Sequence, residues 1–179
     1  MDKAALKKLI EEKFQSTLDY INAQPDELFT TRVIPEKWNN GEHLDHLRKT
    51  ARSISKGMAM PKLILKFKFG VNKRSEHSYT ELQEKFRQYV VEPKKSPRSL
   101  VPNVSADDRK RITDWFLEER DSMLTTIDNH SEKQLSKYVL PHPYVGNLTF
   151  REFIYFAAIH NDHHIGLMKK YNVNFSNPS

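Results

Sequence analysis

The strongest constraint on how this chain can fold is a set of four local patterns that mark where α-helices begin. In each pattern a short polar residue precedes a glutamate or glutamine by three positions. Each side chain can then accept a hydrogen bond from the backbone N–H of the other residue in the first helical turn. The four pairs are Asn39 with Glu42, Ser78 with Glu81, Ser131 with Gln134, and Thr149 with Glu152. These patterns predict a chain that is divided into helices.

Apolar residues also recur at helical spacing in two segments that lack such a start pattern. The recurring residues are Leu6, Ile10, Phe14, Leu18 and Ile21 near the start, and Ile112, Phe116, Met123 and Ile127 later in the chain. With the start patterns, they predict long amphipathic helices over about residues 3–23, 40–58, 106–128 and 150–170. No strand pattern of comparable strength is present.

These helices predict the fold class and the domain organisation. The chain has 179 residues, which is enough to bury one sizeable core. We expect an all-α protein, a four-helix bundle with a long connection between its second and third helices. The domain should span residues 1–172, and residues 173–179 should form a flexible tail.

The absence of cysteine narrows the chemistry and the cellular setting. The sequence has no cysteine, so disulfides, zinc ribbons, iron–sulfur clusters and a cysteine nucleophile are excluded. Any thiol in a reaction must therefore come from a substrate. The first residues, MDKAALKKLIEEKF, lack the apolar run of a signal peptide, and no window approaches the roughly 18 apolar residues of a membrane span. We expect a cytoplasmic protein that has no membrane partner.

The positive charge of the chain is concentrated in residues 61–111. This segment holds thirteen basic and six acidic side chains, a local net charge of +7, whereas the whole chain carries +6. Lys66 and Lys68 alternate there with apolar residues, which suggests attraction of a phosphate, an anionic cosubstrate or a membrane surface. The alternative is a solvated amphipathic connection. The segment lacks any recognised nucleic-acid-binding motif, so a nucleic-acid partner is not expected.

The last predicted helix carries a pair of histidines on its apolar face. His160 and His164 are four residues apart, so both imidazoles can point in the same direction. Histidines in an apolar environment need a hydrogen-bond partner or a metal ion. The pair therefore indicates either a metal site or hydrogen-bonded core histidines. His163 is a competing ligand at a spacing of three from His160, or a residue at the rim of the site.

The second predicted helix offers two candidates for a third histidine. His43 lies nearer the middle of the buried stripe, so periodicity alone favours it slightly. His46 faces instead along the small residues Thr50, Ser53 and Gly57, which would leave room for an ion and a ligand. The periodicity leaves this choice open.

Other polar and aromatic residues are candidates with two interpretations each. Glu119 lies near the centre of the apolar stripe of the third long helix, where it could be a fourth ligand, a general base or a partner of a histidine. Alternatively, that helix is rotated so that Glu119 reaches solvent. Asp45 and Asp162 are interpreted as surface residues. Trp38 and Trp115 are interpreted as packing anchors, with a pocket wall as the alternative.

Two segments resemble the DinB-like superfamily of small bacterial four-helix metalloproteins. The first is WNNGEHLDHL, with Trp38, Glu42 and His46; the second is HPYVGNLTFREFIYFAAIHNDHHIGLMKKY, which begins at His142 and contains the histidine pair. The resemblance implies that His46, His160 and His164 are the metal ligands. It also implies a His-Pro-x-x-Gly turn before the last helix, which His142 would stabilise, and it makes a homodimer plausible.

The resemblance implies a function as well. Three neutral nitrogen ligands suit an open site for a divalent ion such as zinc, nickel, iron or manganese. Relatives of this kind include metal-dependent thiol transferases and maleylpyruvate isomerase-like proteins. The expected partners are thus a small-molecule thiol and an electrophile. A metal-dependent hydrolase uses the same ligand set, and a metal-stabilised binding or stress-response module without turnover is the other alternative.

Overall fold

The computed structural model describes residues 1–90, 96–105 and 108–175. These residues form seven α-helices and a two-stranded sheet. The helices are α1 (Lys3–Asn22), α2 (Asn40–Met58), α3 (Lys62–Phe69), α4 (Tyr79–Tyr89), α5 (Arg109–Asp128), α6 (Glu132–Lys137) and α7 (Phe150–Asn172). The strands are β1 (Val139–His142) and β2 (Gly146–Thr149).

The helix starts follow from the capping patterns in the sequence. At α2, α4, α6 and α7, the polar residue and the glutamate or glutamine make both reciprocal hydrogen bonds. At α1, the carboxylate of Asp2 accepts a hydrogen bond from the backbone N–H of Ala5. Each pattern satisfies backbone donors that a helix start would otherwise leave unpaired, so the first residue of each of these helices is defined locally.

The four long helices α1, α2, α5 and α7 pack around a common core, which confirms the all-α fold. α1 and α2 each pack against both α5 and α7. At the centre, the rings of Phe14 and Phe116 stack with their centroids 4.5 Å apart. The predicted start of the third long helix at residue 106 lies outside the described residues, which show α5 from Arg109 onward.

A short β-hairpin lies between α6 and α7, although the sequence has no strand pattern as strong as its helix patterns. β1 and β2 pair antiparallel, from Val139 opposite Thr149 to His142 opposite Gly146. Gly146 has a φ of 82°, which favours glycine at the turn. His142 stabilises the turn as predicted, because its Nδ1 lies 3.2 Å from the backbone nitrogens of residues 144 and 145. Each strand has only four residues, which is too short for an alternating pattern to be recognised.

The connection between α2 and α5 holds two further helices and a 3₁₀ turn at Arg98–Leu100. α3 packs against β1, and α4 packs against α7. Lys66 and Lys68 are exposed on α3. No helix in the described ranges is both long and apolar enough to cross a membrane. At the other end of the chain, Val173–Phe175 continues α7 as a 3₁₀ turn, and the rest of the predicted tail, 176–179, lies outside the described residues.

Candidate metal centre

The candidate site lies between the first half of α2 and the middle of α7. α2 contributes His43 and His46, and α7 contributes His160 and His164. All four side chains are buried, with relative exposures between 1% and 8%. Packing of α2 against α7 thus brings together histidines that are more than a hundred residues apart in the chain.

One ring nitrogen from each of His46, His160 and His164 converges on a small volume. The Nε2 atom of His160 is 3.4 Å from Nε2 of His46 and 3.0 Å from Nε2 of His164. One nitrogen from each of the three rings lies within 4.8 Å of the others. Two nitrogens that bind one ion at about 2.1 Å each are separated by at most about 4.2 Å. The two measured pairs satisfy that limit, and the third pair lies within 4.8 Å, close to it, so the three residues could hold a metal ion.

A backbone carbonyl orients the ring of His46. The other ring nitrogen, Nδ1, lies 2.8 Å from the carbonyl oxygen of Leu100, which can only accept a hydrogen bond. Nδ1 of His46 therefore carries the proton, and Nε2 keeps its lone pair. A carbonyl partner of this kind is common behind metal-binding histidines, since it fixes both the tautomer and the ring orientation.

The segment that supplies this carbonyl is held onto α2 by a buried carboxylate. Asp45, which is 2% exposed, accepts hydrogen bonds from the Asn103 backbone N–H at 3.0 Å and from Arg48, and it pairs with Lys49 at 2.8 Å. Burial is the largest influence on the Asp45 pKa and raises it, but these partners together hold the pKa below its usual value. The interpretation of Asp45 as a solvated surface residue was wrong. Its spacing of three and four residues from Arg48 and Lys49 predicts the ion pairs but not their burial, because such pairs are also common on exposed helix faces.

His43 lies behind His164 rather than beside His46. Its Nδ1 is 2.7 Å from Nδ1 of His164, the nitrogen of that ring that does not face His160. His43 is not part of the converging group. Of the two candidates on α2, the structure thus brings His46 to the cluster and makes His43 the hydrogen-bond partner of a cluster member. Sequence reasoning missed this role, although the greater burial of His43 was predicted.

Burial keeps the histidines of the cluster neutral. Desolvation is the main cause that lowers the pKa of His46 and brings the pKa values of His160 and His164 well below the usual range. The neighbouring imidazoles lower the latter two further, because a second positive charge close by is unfavourable. Neutral imidazole is the form that binds a metal, so the donor set suits a divalent cation at neutral pH.

Trp38 and His163 lie around the cluster. The partly buried Trp38 ring has its centroid 4.9 Å from that of His46 and 6.1 Å from that of His164, against which it stacks. It therefore packs directly on the site. His163 is less buried than its neighbours and contacts the ring of Phe86 edge-on at 5.5 Å. The structure places His163 at the rim, one of the two positions expected for it.

The carboxylate candidates lie outside the converging group. Glu119 on α5 is mostly buried, 3.7 Å from Arg52, in an open groove of about 420 Å³ between α2 and α5 that Ser55 and Ser122 also line. Burial raises its pKa, and nearby cations oppose this effect. Asp162 pairs with Lys13 at 2.7 Å at the surface, as interpreted from the sequence. Trp115 is exposed and stacks on Arg48 and Arg111.

By its helical fold and its buried group of three histidines, the chain is a small helical protein that could bind a metal ion. The chain belongs to the DinB superfamily, whose family model matches residues 9–168. It is also similar to the uncharacterised protein YuaE of Bacillus subtilis strain 168. The two chains are 26% identical over 168 residues, which cover 90% of this chain and 94% of YuaE. No solved structure matches the chain.

Proposed function

We propose that His46, His160 and His164 hold a divalent metal ion, either zinc, nickel, iron or manganese, and that the protein is a metal-dependent thiol transferase. The single observation that carries this proposal is the convergence of three neutral ring nitrogens in a buried site. Nitrogen donors are preferred by these borderline ions, and three protein ligands leave coordination positions for a substrate. The bound ion would stabilise the thiolate of a low-molecular-weight thiol at neutral pH for attack on an electrophile.

The residues of the chain have distinct tasks in this proposal. The Leu100 carbonyl keeps the Nε2 lone pair of His46 available, and the Asp45 network holds the segment that carries Leu100. Trp38 packs over the rings of His46 and His164 and limits access of water from its side. Because the sequence has no cysteine, the thiol must be supplied by the substrate.

One observation favours a second candidate, a metal-stabilised binding or stress-response module without turnover. The three proposed ligands are only 4% to 8% exposed. A site that is closed in this way suits an ion with a structural role, because a catalytic ion must be reached by its substrate. Both candidate functions use the same metal site, but only the transferase requires that a substrate can reach the ion.

Metal analysis tests the site itself. Protein purified without a histidine tag should contain close to one divalent ion per chain. His46→Ala and His160→Ala should each lose it, whereas His163→Ala, a matched control on the same helix, should retain it. A wild-type protein without stoichiometric metal, or loss of metal in the His163→Ala control, would contradict the proposed ligand set.

An activity assay separates the transferase from the module. The metal-loaded protein is mixed with a panel of low-molecular-weight thiols and a chromogenic electrophile, and the rate is compared with that of His160→Ala. A metal-dependent rate with at least one thiol supports transfer. Absence of any such rate across the panel, together with a rise in melting temperature on metal loading, supports the module instead.

Two expectations about organisation belong to the same proposal. We propose that residues 1–172 form one domain and that the protein forms a homodimer in solution. Limited proteolysis tests the first, because cleavage should be confined to the last residues. Light scattering tests the second, and a molar mass close to the 21.1 kDa of a single chain would contradict it.

A further inference from the structure

The contact between His43 and His164 joins two buried imidazoles through their Nδ1 atoms. These atoms are 2.7 Å apart, so one of them donates a hydrogen bond and the other accepts it. His164 also lies 3.0 Å from His160 through its other nitrogen, Nε2. A neutral imidazole carries one proton, so His164 can donate at only one of these two contacts.

Two arrangements of protons satisfy the contact between His43 and His164. In the first, His164 carries its proton on Nε2 and donates to His160, while its Nδ1 accepts from Nδ1–H of His43. In the second, His164 carries its proton on Nδ1 and donates to His43, whose own proton then lies on Nε2. Only the second arrangement leaves a lone pair on Nε2 of His164, the atom that faces the cluster.

We propose that His43 is a positioning residue that selects the tautomer of His164, so that the cluster accepts a metal only in the second arrangement. This inference rests on the proposed function of the site. The change from the first arrangement to the second keeps both rings neutral. His164 releases its Nε2 proton to water and takes the Nδ1 proton of His43, and His43 takes a proton from water on Nε2.

An unpaired buried atom shows why this choice affects metal affinity. Nε2 of His43 and Oγ of Ser55 are the two buried side-chain polar atoms without a hydrogen-bond partner in the described part of the chain. In the second arrangement the His43 atom is an N–H donor buried without an acceptor, which is unfavourable. The first arrangement avoids this, so the ligand-free cluster should prefer it, and metal binding must overcome that preference.

Two substitutions of His43 separate the effect of its hydrogen bond with His164 from the effect of filling the buried space. In His43→Asn, the side-chain oxygen can accept from Nδ1–H of His164, so the hydrogen bond that selects the tautomer is kept. In His43→Leu, nothing accepts that hydrogen bond. Loss of a hydrogen-bond partner of a metal-binding histidine typically reduces metal affinity by about 10- to 100-fold. We expect this loss for His43→Leu, and an affinity within about threefold of wild type for His43→Asn.

Zinc affinity is measured by competition with a chromogenic chelator for wild type and both variants, with His163→Ala as the control. Circular dichroism checks that each variant is folded. The protonation of the rings is read in the wild-type protein by long-range ¹H–¹⁵N spectra. Zinc should move the proton of His164 from Nε2 to Nδ1 and that of His43 from Nδ1 to Nε2, a readout that does not depend on any variant folding.

The outcomes distinguish this inference from the proposed function. If wild type does not bind zinc or another divalent ion, the proposed function fails and the inference fails with it. If wild type binds zinc but His43→Leu binds it equally well, or the wild-type ring protons do not move, only the inference is overturned. Weaker binding by His43→Leu, retained binding by His43→Asn and the tautomer change together support it.

Discussion

Replacing Glu152, at the start of α7, should destabilise the fold by an amount that follows from its contacts. Its side chain is fully buried and accepts hydrogen bonds from the guanidinium of Arg74 through both oxygens, each at 2.7 Å. The backbone N–H groups of His77, at 2.7 Å, and Thr149, at 2.8 Å, donate to it as well. Glu152 therefore connects the chain before α4 to the helix that carries two of the three proposed ligands.

The shift in the pKa of Glu152 reflects how strongly this hydrogen-bond network stabilises the ionised carboxylate. Burial, the largest influence, raises the pKa, but Arg74 and the donors from Thr149 and His77 outweigh it and lower the pKa from 4.5 to about 2. At 1.36 kcal/mol per pKa unit, the folded state favours the ionised carboxylate by about 3 kcal/mol. Glu152→Gln removes the negative charge and places the side-chain N–H group of glutamine against groups that can only donate hydrogen bonds. We expect it to lower the free energy of unfolding by about 3 kcal/mol at pH 7.

The direction of the Glu152 pKa shift determines how this stabilisation depends on pH. The folded-state pKa lies below the unfolded one, so this stabilisation is fully present above pH 4.5 and is lost as the pH falls from 4.5 to about 2. The difference between wild type and Glu152→Gln should therefore shrink over that range. Urea unfolding followed by circular dichroism measures it. Glu81→Gln, which changes the same capping position on α4 at an exposed site, is the control. Equal losses for both variants at pH 7 would refute the reasoning.

Further predictions concern two helix glycines and the attachment of the segment that contains Asn103. A Cβ at Gly41 would lie 2.5 Å from the backbone oxygen of Phe29, so Gly41→Ala should lower the free energy of unfolding by about 1–3 kcal/mol. Gly166 has open space around it, so Gly166→Ala should raise the free energy of unfolding by about 0.5–1 kcal/mol. Denaturant unfolding of the two variants checks both signs. Asp45→Asn should weaken the attachment of Asn103, and faster hydrogen exchange at that amide, with unchanged exchange in α1, is the expected result.

The helix boundaries could be predicted because they depend on neighbours in the sequence. The predicted ranges 3–23, 40–58 and 150–170 correspond to α1, α2 and α7 within two residues at each end. A capping side chain interacts with the backbone only three residues away, so its partner is visible in the sequence. In the hairpin before α7, the sequence marks the turn but not the strands, because the two strands are stabilised by each other and by the helices around them.

The burial of Asp45 and the orientation of His46 depend on partners far along the chain. Asn103 and Leu100, which contact these side chains, are more than fifty residues away. They belong to the basic connection, for which the sequence suggested only a solvated segment or an anion-binding role. The exposed Lys66 and Lys68 lie on α3 against β1, whereas the residues of this connection that contact His46 are near its end. No periodicity reveals which part of a long connection returns to the core.

The comparison of His43 with His46 shows why burial alone does not identify which histidine joins the converging group. The sequence placed His43 nearer the centre of the buried stripe, and it is indeed more buried, at 1% exposure against 5%. Because it lies deeper, His43 meets the side of His164 that faces away from the cluster. His46 is rotated toward the edge of the helix interface, where its Nε2 meets His160. In the proposed site, His46 would therefore be a ligand, whereas His43 would contact the ligand His164 from behind.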